Sequence, residues 1–125
     1  MRLSVKRVEL SGLSEAVERA NEAALGVTAE NALSDTRPYV PYDTGALQGS
    51  GEARVEGDRA LLEYGGDAET SRYAREQYYN AHNHATRQNA IHAPKACDHW
   101  GERSRADNGG RWARMHAAEM GRRLR

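Results

Sequence analysis

Four histidines, His82, His84, His92 and His99, fall within eighteen residues, and imidazole is the commonest transition-metal ligand. Their spacing does not make a metal site: there is no His-Glu-x-x-His helix, no cysteine pair, and no ligand rhythm in the stretch between them. The tripeptide His82-Asn83-His84 is not the nuclease motif of similar spelling, whose three residues are dispersed over a ββα-metal finger. A polar surface loop is the expectation, with neither metal nor cofactor. Cys97 is the sole cysteine, so an internal disulfide is ruled out and a nucleophilic role would need a base and an electropositive pocket around it. Asp35, Asp43, Glu52 and Glu63 are scattered carboxylates with nothing to pair any two as acid and base. The glycine-rich stretch from Gly45 to Gly51 lacks the Lys-Ser/Thr ending of a phosphate-binding loop. No catalytic residue is therefore expected.

The arginines are the remaining chemistry. After Gly101 the chain carries Arg103, Arg105, Arg111, Arg114, Arg122, Arg123 and Arg125 against Glu102, Asp107 and Glu119. A basic helix can meet phosphates, which makes Arg111, Arg114, Arg122 and Arg123 candidates for contact with DNA or for facing a channel that DNA traverses. The same charges also suit a helix C-terminus, where cations complement the dipole.

The elements that would position these groups must be built from little. The 125 residues suit one domain, 1–125, with no linker-like stretch. Phe is absent, the hydrophobic fraction is 38%, much of it Ala, and the 18 basic and 18 acidic residues cancel. Such a core is thin, and we expect the protein to gain stability by burying surface against neighbours. No stretch approaches the roughly 20 apolar residues of a membrane span, and Met1 to Lys6 has no signal-peptide apolar region. The expectation is a protein cytosolic at synthesis.

Residues 2 to 9 alternate, with Leu3 and Val5 on one face, and read as a strand ended by Ser11-Gly12. From Ser14, a suitable N-cap, a helix is predicted to about Asp35, with Leu13, Val17, Ala20, Ala24 and Val27 at three-and-four spacing. Gly26 inside it implies a close contact or a bend. Residues 38 to 51, with Pro38, Pro41, Gly45, Gly49 and Gly51, break regular structure. Ala53 and Val55, then Ala60, Leu62 and Tyr64, alternate about Glu56-Gly57-Asp58-Arg59 and predict a β-hairpin. Residues 72 to 81 fit either a short helix or a third strand. Beyond the polar stretch 82 to 92, Pro94 starts a predicted helix through Trp100 to about Arg105. Asn108-Gly109-Gly110 interrupts it, and a last helix begins at Arg111 with Trp112 and Met115 on one side.

The segment Val40-Pro41-Tyr42-Asp43-Thr44-Gly45-Ala46-Leu47-Gln48-Gly49-Ser50 resembles the Pro-x-Asp-Thr-Gly-x-Leu-x-x-Ser signature of phage minor capsid and tail-completion (head-tail joining) proteins of long-tailed phages. Those proteins have a long helix before the signature, a hairpin after it, a Tyr-Ala stretch, and a proline-led segment with a Trp. Here residues 14 to 36, residues 52 to 64, Tyr73-Ala74, and Pro94 to Trp100 stand in those places. The position after the Leu, usually basic in the family, is Gln48.

From pattern and resemblance together the expected fold is α+β: a long N-terminal helix on a small antiparallel sheet made by the first strand and the hairpin, with shorter C-terminal helices. The resemblance implies a structural virion protein, assembled in the host cytoplasm as a sixfold or twelvefold homo-oligomeric ring. Its place would be between portal, connector and tail tube, around a DNA channel. The alternative is a small DNA-binding protein that uses the basic C-terminal helix. Tyr39, Pro41, Tyr42, Asp43, Thr44, Gly45 and Leu47 are the expected interface. The segment 38 to 51 is expected to be mobile or exposed in the free subunit and ordered on assembly.

Overall fold

The computed structural model describes residues 2–7, 15–80 and 84–124. Strand β1 (Arg2–Arg7) is followed by helix α1 (Glu15–Thr36), a single 3-10 turn at Arg37–Tyr39 and the one-turn helix α2 (Ala46–Gly49). The hairpin β2 (Glu52–Glu56) and β3 (Arg59–Glu63) comes next, then α3 (Ala68–Tyr79), α4 (Arg87–His92) and α5 (Trp100–Arg123). The class is α+β as expected, with a long N-terminal helix on an antiparallel sheet and further helices beyond it.

The sheet has the order β1-β3-β2, so the hairpin's second strand lies in the centre and pairs antiparallel on both sides. Glu56 pairs with Arg59 across the two-residue turn Gly57-Asp58, and Gly57 takes φ +61°, the conformation that a tight hairpin turn asks of its first central residue. Leu62 stands opposite both Leu3 and Ala53, and the register of β1 on its partner shifts between Ser4 and Lys6.

Helix α1 covers the sheet and packs antiparallel against α5 with a row of small residues. Ala20, Ala24, Ala29 and Ala32 are buried, together with Leu25, Asn21, Thr28 and Thr36. Leu25 and Ala29 meet Ala60 and the hairpin residues Ala53 and Val55. The expected face was therefore right at Ala20 and Ala24 and displaced at Val17 and Val27, which are half-buried. The true stripe runs through Asn21, Leu25 and Thr28. Polar residues lie on it because they meet polar partners from α5: Asn21 Oδ1 lies 2.8 Å from His116 Nε2, and the hydroxyls of Thr36 and Ser104 are 2.8 Å apart, both pairs buried. The expected cap Ser14 and the residue Leu13 lie outside the described residues.

Helix α5 is continuous over 24 residues, and Asn108-Gly109-Gly110 does not interrupt it. Two interior glycines cost a helix about 1 kcal/mol each relative to Ala, and ties on both sides offset this. Tyr39 Oη donates to Asp107 Oδ2 at 2.6 Å just before the glycines. Just after them Trp112 Nε1 donates to Asp35 Oδ2 at 2.8 Å, and Arg111 pairs with the same carboxylate at 2.5 Å. The helix begins at Trp100, so Pro94 lies in a preceding turn instead of starting it. Residues 68–79 form a helix, not a third strand, capped by Asp67, whose carboxylate accepts from Thr70 N–H at 2.7 Å. These hydrogen bonds also hold the Asp67 carboxyl below the usual range. Within the stretch expected to be a loop, α4 forms behind Thr86, which caps Asn89 N–H.

The main core lies between the end of α1, the first half of α5 and the open end of the hairpin. Tyr39, Val40, Leu47, Leu62, Tyr64, Tyr78, Trp100 and Trp112 pack there with Ala32 and Ala74. Tyr78 and Trp100 meet edge-to-face with centroids 4.6 Å apart, and Tyr64 meets Trp100 at 6.0 Å, a geometry that adds to what area burial contributes.

Leu25→Ala should lower stability by about 2–5 kcal/mol, as for a fully buried leucine, and Val17→Ala should lower it less. Urea denaturation of the two variants checks the facing of α1; a larger loss from Val17 would contradict it.

Candidate functional site

The signature segment is built outward from the core. Tyr39 and Leu47 are each 2% exposed, Val40 is fully buried, and Pro41 is buried beside them. Gln48 is buried too, and its side-chain amide is shared among the carbonyls of Arg37 (3.2 Å), Val40 (3.1 Å) and His92 (3.2 Å). One amide thus ties two stretches of chain, the 37–40 turn and the end of α4, and supplements the Arg37 carbonyl, which already accepts Val40 N–H at 3.1 Å. This is physical content for Gln48 at the place usually basic: an uncharged donor can be buried there without an anion.

Above this root the chain turns sharply. Tyr42 N–H donates to Asn89 Oδ1 at 2.7 Å, and the Tyr42 ring stacks on His92 with centroids 4.0 Å apart and an interplanar angle of 24°. Thr44 Oγ1 accepts from Ala46 N–H at 3.3 Å. Gly45 has φ +88°, and a Cβ there would sit 2.9 Å from the Tyr42 ring, so both conformation and space select glycine. Its carbonyl starts α2 by accepting Gly49 N–H at 2.9 Å. Ser50 closes the motif: its hydroxyl donates to Leu47 O at 2.7 Å and accepts Gly65 N–H at 3.0 Å, tying the turn to the end of β3. Gly51 lets the chain pass against Tyr64 and Leu33, which a Cβ would meet at 2.8 and 3.0 Å.

Residues 38 to 51 are folded onto the core in this structure, with only part of the segment exposed. Their apolar side chains go into the core, where a chain without Phe has places for them. Of the residues expected at an interface, Tyr39, Pro41 and Leu47 are buried, Tyr42 and Gly45 are half-buried, and Asp43 and Thr44 are exposed at the apex. The apex forms one wall of an open cleft of about 350 Å³, with Asp67, Glu69, Thr70 and Tyr73 of the α3 N-terminus opposite. Burial raises the Tyr73 phenol pKa, and the Asp43 carboxylate raises it further. Asn89 and Ser50 are positioning residues that the sequence did not single out, and Gln48 stood out only as a departure from the family pattern. The motif itself was the signal for Ser50, whereas the partners of Gln48 and Asn89 lie too far away in sequence to be read.

The other candidates scatter. Among the described residues no three of His, Cys, Asp or Glu converge on a point that could hold a metal; His92 stacks on Tyr42, His99 packs edge-on against Tyr78 and Tyr79, and His82 lies outside the described residues. Burial pushes the Cys97 thiol pKa up, away from the thiolate that a nucleophile requires. At the basic end Arg111 pairs with Asp35, Arg122 and Arg123 both pair with Glu119, and Arg114 is exposed. No helix among the described residues is long and apolar enough to cross a membrane.

A turn whose Pro, Gly, Leu and Ser each have a structural task, inside the order helix, turn, hairpin, helix, is what the signature requires. The model of a family described as minor capsid protein matches residues 4–120. The chain belongs to the minor capsid protein family. It is therefore a phage structural protein and a virion component. No curated protein and no solved structure matches it. For this minor capsid protein the signature is a rooted turn: five side chains, Tyr39, Pro41, Leu47, Gln48 and Ser50, fix it so that Asp43 and Thr44 project.

Leu47→Ser should destabilise the isolated chain by about 2–5 kcal/mol, and Gly45→Ala by about 1–3 kcal/mol through backbone strain and the Tyr42 contact. Urea denaturation measures both. Unchanged midpoints would contradict the rooted turn.

Proposed function

We propose that this minor capsid protein is a head-tail joining component. Copies form a homo-oligomeric ring between the portal or connector and the tail tube, and the ring completes the channel through which DNA passes. The observation that carries the reading is the signature turn, buried at its root and presenting Asp43 and Thr44 on its outer side. A turn held this way loses little conformational entropy on docking, so its few exposed groups can specify a partner at small cost. Cyclic symmetry of sixfold or twelvefold order is the assembly that fits a junction of this kind. The role is structural, in the virion, with assembly in the host cytoplasm. Direct use of the basic helix as a DNA-binding element has less support, because Arg111, Arg122 and Arg123 are drawn onto carboxylates of their own chain.

Asp43→Arg changes an exposed apex residue and should leave the folding free energy within about 0.5 kcal/mol. In the phage it should yield DNA-filled heads that fail to join tails, seen by electron microscopy of lysates. Tailed particles at normal yield would contradict the reading.

A further inference from the structure

The charges of this chain cancel in number but not in place. Residues 15–80 hold thirteen acidic and six basic side chains, whereas residues 84–124 hold four acidic and eight basic. The two long helices carry that separation on their outer faces. Helix α1 exposes Glu15, Glu18, Glu22 and Glu30, with Arg19 nearby and 3.8 Å from Glu15. Helix α5 exposes Arg103, Asp107, Gly110, Arg114, Ala117 and Gly121, whose alternating four-and-three spacing sets them in one line along the helix. Asp107 accepts from its own Tyr39 hydroxyl and lies 4.0 Å from Arg103, so two arginines against one carboxylate leave the line net positive, with Arg114 unopposed on it.

Both faces also carry glycines that the chain's own packing does not ask for. Among the described residues a Cβ at Gly26 of α1 or Gly121 of α5 would meet nothing within 4 Å, and one at Gly110 would meet only the tip of Arg114 at 3.4 Å. Glycine weakens a helix interior and suits a place where another backbone comes close. The helices are matched in length at roughly 33 and 36 Å. They use other faces to pack on each other, through Asn21 with His116 and Thr36 with Ser104, which leaves these two outward.

We propose that the acidic outer face of α1 in one copy seats the Arg103–Arg114 line of α5 in a second copy. Because the two faces differ, the contact is heterologous and repeats from copy to copy, as ring closure requires. The inference rests on the oligomeric reading above and names the surface that makes the oligomer. Charge complementarity selects a second copy as the occupant, and it makes the contact sensitive to salt.

The test is charge reversal on each face, read by analytical ultracentrifugation of the full chain with melting temperatures as the control for folding. The wild type should associate at low salt and dissociate as salt rises. Glu18→Arg with Glu22→Arg, and separately Arg103→Glu with Arg114→Glu, should each remain monomeric with melting temperatures close to that of the monomeric wild type at high salt. An equimolar mixture of the two should associate again, since each reversed face then meets its complement. Association of the separate variants as strong as the wild type's would overturn this surface while leaving the oligomer standing. A wild type that stays monomeric throughout would overturn the oligomeric reading itself. If the arginine variant associates normally and instead loses a salt-sensitive affinity for duplex DNA, the α5 face serves nucleic acid and the proposal fails.

Discussion

With no Phe and much of its apolar content in Ala, this chain has to make its interior from small side chains at helix contacts and from a few aromatic rings with polar tips. Alanines let α1 lie close on the sheet and on α5 but bury little area each. The rings supply the area, and their polar atoms then need partners inside the protein. Tyr39 finds Asp107 and Trp112 finds Asp35. Trp100 does not follow suit: it is fully buried, and its indole N–H has no acceptor among the described residues. Such a group costs about 1–3 kcal/mol, which its contacts with Tyr78 and Tyr64 must exceed.

The same constraint explains why the signature segment is not a free loop. Tyr39, Val40 and Leu47 are among the few large apolar side chains available to close the core between α1, the hairpin and α5. Drawing them inward buries backbone carbonyls around them, and the Gln48 amide reaches those of Val40 and His92 as well as that of Arg37, which also accepts Val40 N–H. Fold stability and the proposed recognition surface therefore share one segment. Its inner side chains hold the core, and its apex is what a partner can touch.

The sequence made local features plain. The hairpin followed from alternation about a Gly-containing turn, and the extent of α1 from its Ala-rich periodicity ahead of Pro38. What it concealed was set by distant partners. The stripe of α1 was misplaced because Asn21 and Thr28 look like surface residues until His116 and the Ala24 carbonyl are seen beside them. The Asn108-Gly109-Gly110 break was predicted from propensity, and ties from Tyr39 and Asp35 override it. The loop from 38 to 51 read as exposed because its Pro and Gly density is a local signal. The buried ends of its side chains, and its hydrogen bonds to Asn89 and His92, are not.

The family places the chain in the virion, and the rooted turn is the feature of its structure that best suits a joining role. The central claim is that this turn is formed before any partner arrives. Amide hydrogen exchange on the free chain tests it most directly. Tyr42, Gly49 and Ser50 N–H, which donate to Asn89, Gly45 and Ala46, should exchange as slowly as amides in the middle of α1. Exchange of these three at the rate of an unstructured chain would contradict the account.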